Sequence, residues 1–153
     1  MRDGFIKVAA VTPDIRVADV SFNTEKICQA IDSAAKEGAK IAAFPELCIT
    51  GYTCGDLFAQ DVLLDNAKEG LLKAAAHTKG KDMLVFVGVP LAVDGKLYNT
   101  AAALNDGEIL GFTTKTFLPN YGEFYEMRQF HEGPSQARFI TFDGKELPFG
   151  PQL

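Results

Sequence analysis

Phe44-Pro45-Glu46-Leu47-Cys48-Ile49-Thr50-Gly51-Tyr52 is the stretch on which the reading of this sequence turns. Before it, Ile41-Ala42-Ala43-Phe44 is a short apolar run of the kind that makes a buried strand. Pro45 stops that run, and Glu46 follows at once. Apolar residues resume, then Thr-Gly-Tyr closes the segment. A carboxylate between two apolar stretches is costly to bury unless it is paired. Glu46 therefore either sits at a strand end in a site or is a structural ion-pair partner.

Working outward, Phe5 to Val11 reads as a strand closed by Thr12-Pro13-Asp14. Val20 to Glu37 places apolar residues at 20, 27, 28, 31, 34 and 35, one stripe of a helix. Ser21 or Asn23 is the candidate cap and Gly38 the stop. Strand, helix, strand predicts a βαβ unit and an α/β fold with a right-handed crossover. A second amphipathic helix is predicted over 61–78, weakened by Gly70. Met83 to Val89 is nearly all apolar, as a central strand requires. Turn signals at Asp94-Gly95 and Asn105-Asp106-Gly107 then fold two more strands, Leu97 to Leu104 and Glu108 to Thr114, back against it. The expectation is a mixed sheet with helices on one side. Gln136 to Phe142 begins another hairpin. The terminal Leu147-Pro148-Phe149-Gly150-Pro151 reads as loop with no final strand, so the sequence is expected to be the first part of something longer.

Composition narrows the classes. The sequence has 153 residues, 47% of them hydrophobic and 23% charged, which fits one globular domain. A net charge of −5 and the lack of a basic stripe argue against nucleic acid. No apolar run approaches the roughly 20 residues of a membrane helix. Cys28, Cys48 and Cys54 are odd in number and irregular in spacing, so a reducing, cytoplasmic compartment is expected.

The second informative stretch is Lys115-Thr116-Phe117-Leu118-Pro119-Asn120-Tyr121-Gly122-Glu123-Phe124-Tyr125-Glu126. A lysine closes an apolar strand and enters an aromatic loop that shows no period through Pro134. A long irregular segment in a compact domain is usually functional or disordered, and its aromatic content argues for function. A lysine and a glutamate meeting at strand ends would stabilise each other's charged forms.

On these two stretches the sequence resembles the nitrilase superfamily, the carbon-nitrogen hydrolases. Phe44 to Tyr52 looks like its glutamate signature, and Lys115 with Leu118-Pro119 and Tyr121-Gly122-Glu123 like its lysine signature. The fuller strings Thr50-Gly51-Tyr52-Thr53-Cys54-Gly55-Asp56-Leu57-Phe58 and Leu118-Pro119-Asn120-Tyr121-Gly122-Glu123-Phe124-Tyr125-Glu126 resemble one branch more closely, the glutaminase domains of glutamine-dependent NAD(+) synthetases. The resemblance implies a four-layer αββα sandwich with mixed sheets, of which residues 1–153 would be the N-terminal portion. The remainder of that domain, and a synthetase domain using ATP and Mg, would lie outside these residues, which would themselves bind no cofactor. It implies that Glu46 is the general base for a cysteine thiol and that Lys115 stabilises the oxyanion. Glu123 would help hold substrate and triad, and Tyr121 would contact L-glutamine. The partners implied are glutamine and the chain's own synthetase domain.

One expectation departs from the family pattern. None of the three cysteines fits the nucleophile motif. Cys28 reads as packing on a helix. Cys48 shares a face with Glu46 if the strand continues, and Cys54 sits in a partly exposed loop. The segment alone is therefore expected to be inactive toward glutamine. Another amidase or carbamoylase of small amides, or a non-catalytic module, remains the alternative. His77 and His131 are isolated, and the cysteines are too far apart for a zinc knuckle. Half of a sandwich would also leave apolar sheet surface bare, which predicts a homo-oligomer.

Overall fold

The computed structural model describes residues 4–151. Strands β1 (Val8–Ala10), β2 (Ile41–Ala43) and β3 (Leu84–Val93) run parallel, joined by helices α1 (Val20–Lys36) and α2 (Asp61–His77). Strands β4 (Lys96–Asn105) and β5 (Glu108–Thr114) follow as antiparallel hairpins. Strands β6 (Arg138–Phe142) and β7 (Lys145–Gly150) complete a seven-stranded mixed sheet in the order β1-β2-β3-β4-β5-β7-β6.

The expected βαβ start and the two hairpins are present. The end of the chain differs from expectation. Leu147 to Gly150 is strand, not loop, and β7 inserts between β5 and β6 with Phe112 opposite Phe149. Asp143-Gly144, both at positive φ, turns β6 back into it. Pro148 hid this strand, because a proline argues against a central position.

Helix α1 is capped by Asp19, whose carboxylate accepts from Phe22 N at 3.0 Å, rather than by Ser21 or Asn23. Asn23 has another task. Its amide, fully buried, donates to Ile49 O at 3.0 Å and to Arg16 O at 2.8 Å, and its Oδ1 accepts from Arg16 N. A helix side chain thus ties down the backbone just after Glu46. Gly70 does not merely weaken α2. A Cβ there would stand 2.5 Å from Thr24 Oγ1 and 2.9 Å from Val20 Cγ1, so glycine is what lets the two helices touch.

Register carries the core across the sheet. Val85, Val87 and Val89 of β3 lie in line with Leu104, Ala102 and Thr100 of β4, all buried, and Phe112 follows on β5. This is the helix side: Lys68 of α2 lies over the Phe142 ring, and Phe142 packs edge-to-face on Phe112. The opposite face carries Val8, Leu84, Phe86, Ala103 and Phe139, and no helix covers it among the described residues. Phe139 is 68% exposed there and Val8 62%. The expected bare apolar face is present, and the described residues supply one sheet and one helical layer.

Candidate active site

Glu46 stands just past the C-terminal end of β2. The strand stops at Ala43, and Glu46 to Thr50 form turns rather than more strand. Leu47 takes a left-handed φ of 49°, while Leu47, Cys48, Ile49 and Thr50 are all fully buried. The turn lies directly on β3 at Gly88. A Cβ on Gly88 would meet Leu47 N and Pro45 O at 2.4 Å each, so only glycine permits this approach. The apolar residues around Glu46 therefore anchor its backbone in the core, while its side chain remains 48% exposed.

Lys115 follows the end of β5, with its N–H donating to Asn99 O at 2.9 Å. Its Nζ lies 2.8 Å from Glu46 Oε1 and 2.9 Å from Glu126 Oε1. Asn99 Nδ2 donates to Glu46 Oε2 at 3.4 Å. The Tyr52 hydroxyl donates to Glu126 Oε1 at 2.5 Å. One ammonium is thus held between two carboxylates, one of which also accepts from a phenol. Burial opposes the charge on Lys115, but the hydrogen bonds to Glu46 and Glu126 outweigh it, and its pKa is raised. Burial, and then the Glu126 hydrogen bond, likewise push the Tyr52 phenol upward. Lys115 is locked as a cation, and Tyr52 as a hydrogen-bond donor.

Of the residues predicted from sequence, Glu46 and Lys115 meet. Neither Tyr121 nor Glu123, both on the aromatic loop, hydrogen-bonds or pairs with Glu46 or Lys115 among the described residues. Tyr121 is 71% exposed and packs edge-to-face on Phe124, with ring centroids 5.8 Å apart. Glu123 is exposed and lines a cavity of about 210 Å³ with Tyr52, Phe58, Phe124, Glu126 and Phe130. The second carboxylate on Lys115 is Glu126, three residues further on and 5% exposed. Its Oε2 is buried without a hydrogen-bond partner, and Glu126 is among the residues around the same cavity. A buried charge of this kind needs the pairing it receives from Lys115. Sequence reasoning missed Glu126, Tyr52 and Asn99. A carboxylate set among Phe124, Tyr125 and Phe130 was the available signal, but an aperiodic loop cannot say which of two glutamates turns inward.

The cysteines are elsewhere. Cys48 does not share a face with Glu46, because the strand has ended. Its thiol is fully buried against Gly88 O at 3.7 Å, and burial pushes its pKa up to about 12. Cys54 is buried rather than partly exposed, donates to Thr50 O at 3.2 Å, and is raised by burial too. Cys28 is buried within α1 and is raised in the same way. None has the electropositive, accessible setting of a reactive thiolate. His77 Nε2 lies 3.0 Å from Asp32 Oδ1 of α1. His131 is exposed. No group of three or more His, Cys, Asp or Glu side chains among the described residues could hold a metal ion, and no helix is long and apolar enough to cross a membrane.

The carbon-nitrogen hydrolase family model matches residues 7–151. The chain is 35% identical over 150 residues to a glutamine-dependent NAD(+) synthetase of Mycobacterium tuberculosis, covering 98% of this chain and 22% of that protein. It is 38% identical over 133 residues to the synthetase of Aquifex aeolicus, covering 87% of this chain and 23% of the relative. The crystal structure of a glutamine-dependent NAD(+) synthetase from Cytophaga hutchinsonii superposes with a TM-score of 0.90 at 33% identity, over 95% of this chain and 25% of that one. An amidase from Nesterenkonia sp. shares the fold at a TM-score of 0.73 and 24% identity, over 97% of this chain and 56% of the amidase. The chain thus spans about a quarter of the synthetases it matches. A family match over nearly its whole length, on a mixed sheet whose strand ends bring Glu46 to Lys115, places this chain in the carbon-nitrogen hydrolase family.

Proposed function

We propose that this chain carries the base and the cation of a glutamine amide hydrolase, whose ammonia feeds ATP-dependent synthesis of NAD(+). The observation that carries the reading is Lys115 Nζ held 2.8 Å from Glu46 and 2.9 Å from Glu126, in a chain whose relatives are glutamine-dependent NAD(+) synthetases.

The chemistry follows from that geometry. Amide hydrolysis through a thiol needs a base to take the thiol proton and a fixed positive charge for the oxyanion. Glu46 has one oxygen on Lys115 and the other near Asn99, and its side chain is half open, so it can accept a proton from an approaching thiol. Lys115 stays charged through the cycle because two carboxylates hold it. That leaves the ammonium to offset the charge that develops on the carbonyl oxygen, in a setting drier than water. Glu126 and Tyr52 keep Lys115 in place. Glu123 and Tyr121, on the exposed side of the aromatic loop, are positioned to meet substrate or a covering segment. ATP and Mg would act in a synthetase part, and no step at this site draws on them.

The nucleophilic thiol is not Cys28, Cys48 or Cys54, each buried with a raised pKa. Residues 1–153 alone should therefore release no ammonia from glutamine. The test is an ammonia assay on the 153-residue polypeptide beside the whole product of its gene. The polypeptide should stay at the blank. The gene product should turn over, and its Glu46→Gln variant should fall by orders of magnitude. Turnover by residues 1–153, or full activity in Glu46→Gln, would overturn the assignment.

A further inference from the structure

The candidate site is assembled from two segments far apart in sequence, and three side-chain links cross between them in order. Tyr52 meets Glu126, Asp56 meets Arg128, and Phe58 meets Phe130. Tyr52, Asp56 and Phe58 come from the loop after the buried turn and its short 3-10 turn, Gly55–Ala59. Glu126 and Arg128 sit on a second short 3-10 turn, Glu126–Arg128, inside the aromatic loop. The first link belongs to the site. The third is a ring pair with centroids 4.9 Å apart. The middle link is a fork: Arg128 Nε donates to Asp56 Oδ1 at 2.9 Å and Nη2 to Oδ2 at 3.1 Å. Among the described residues it is the one bidentate arginine–carboxylate pair; Arg16 and Arg138 each make a single contact.

We propose that Asp56 and Arg128 are positioning residues for the site, and that their fork sets the gap across which Glu126 reaches Lys115 and Tyr52. Arg128 is two residues from Glu126 on the same turn, so a shift of one moves the other. Glu126 otherwise depends on a loop with little regular structure. An exposed ion pair adds little to overall stability. A planar fork does more for geometry than for energy, since it fixes distance and orientation together. A misplacement of about 1 Å at a reacting site can cost about a hundredfold in rate. The inference rests on reading the Glu46–Lys115–Glu126 cluster as the reacting site.

The test uses the ionisation of Tyr52, which needs neither glutamine nor a thiol. Its outcome is therefore read separately from the ammonia assay, and its failure would leave the proposed reaction untouched. The sequence has four tyrosines and no tryptophan, so phenolate absorbance is clean. Subtracting the Tyr52→Phe variant isolates Tyr52. The signal is read in the first milliseconds after a jump to alkaline pH, ahead of global unfolding. In the unmodified chain Tyr52 resists ionisation, because burial and Glu126 hold its proton. In Asp56→Ala, and in Arg128→Lys, which keeps the charge but loses the fork, Tyr52 should ionise about one pH unit lower or more. Melting temperatures should move by only a few degrees. Unchanged ionisation in both variants would overturn the proposal. Earlier ionisation that appears only with a collapse in melting temperature would also overturn it, by showing a merely structural role.

Discussion

The turn at Phe44–Tyr52 and the aromatic loop at Lys115–Pro134 each carry half of the site, and they are held by opposite means. The first is part of the core. Leu47 to Thr50 are fully buried, Gly88 of β3 lies beneath their backbone, and Asn23 of α1 grips Ile49 O. The second lies largely outside the core. Phe117, Tyr121, Tyr125 and Met127 are exposed, and the loop is fixed by Leu118, Glu126, Phe130 and a few backbone bonds, such as His131 N to Leu97 O at 2.8 Å. Glu46 therefore rides on a rigid support, while Glu126, behind Lys115, rides on a segment tied mainly by side chains. A site built this way can keep Glu46 fixed while the loop adjusts to whatever covers it.

The largest effect should come where the halves meet. If the proposed glutamine hydrolysis holds, Lys115→Ala in the whole gene product should lower kcat by about a thousandfold, as losing an oxyanion donor does elsewhere. Steady-state ammonia release checks this, and near-normal turnover would make the lysine structural. Next comes the rigid half. Gly88→Ala forces a Cβ into the backbone of Pro45 to Leu47 and should cost about 3 kcal/mol in denaturant unfolding. A neutral result would show that the turn is not clamped by β3.

A smaller effect should appear at alkaline pH. The Lys115 pKa is raised on folding, so its contribution is fully present below its unfolded value of about 10.5 and is lost as pH rises beyond that. Melting temperature should therefore decline above about pH 10.5. Glu126→Gln, which removes one partner, should flatten the decline. The smallest effect belongs to the open half. Phe117→Ser should change stability by less than about 0.5 kcal/mol, because the residue is 88% exposed. A large loss would mean that this loop is part of the core after all.

The periodic parts and the first pair of the site were legible from local pattern. Valine-rich β3, the Asp-Gly turns and the stripe of α1 declare themselves through local period and turn chemistry, which need no partner to be read. Glu46 and Lys115 were legible because each stands at the end of an apolar run, where a charge is conspicuous. Tertiary structure alone decided what depends on contacts across the chain. Strand β7 is such a case, since Pro148 speaks against a strand locally while Phe149 finds Phe112 on a distant one. Gly70 and Gly88 look like weak points until the helix and the turn they admit are in place. The inward glutamate is another: Glu123 and Glu126 differ little in local sequence, and only Lys115, Tyr52 and the Asp56–Arg128 fork select Glu126. Local pattern reports which face a residue prefers within a helix or strand. In a loop without period, long-range pairing alone chooses which side chain turns in.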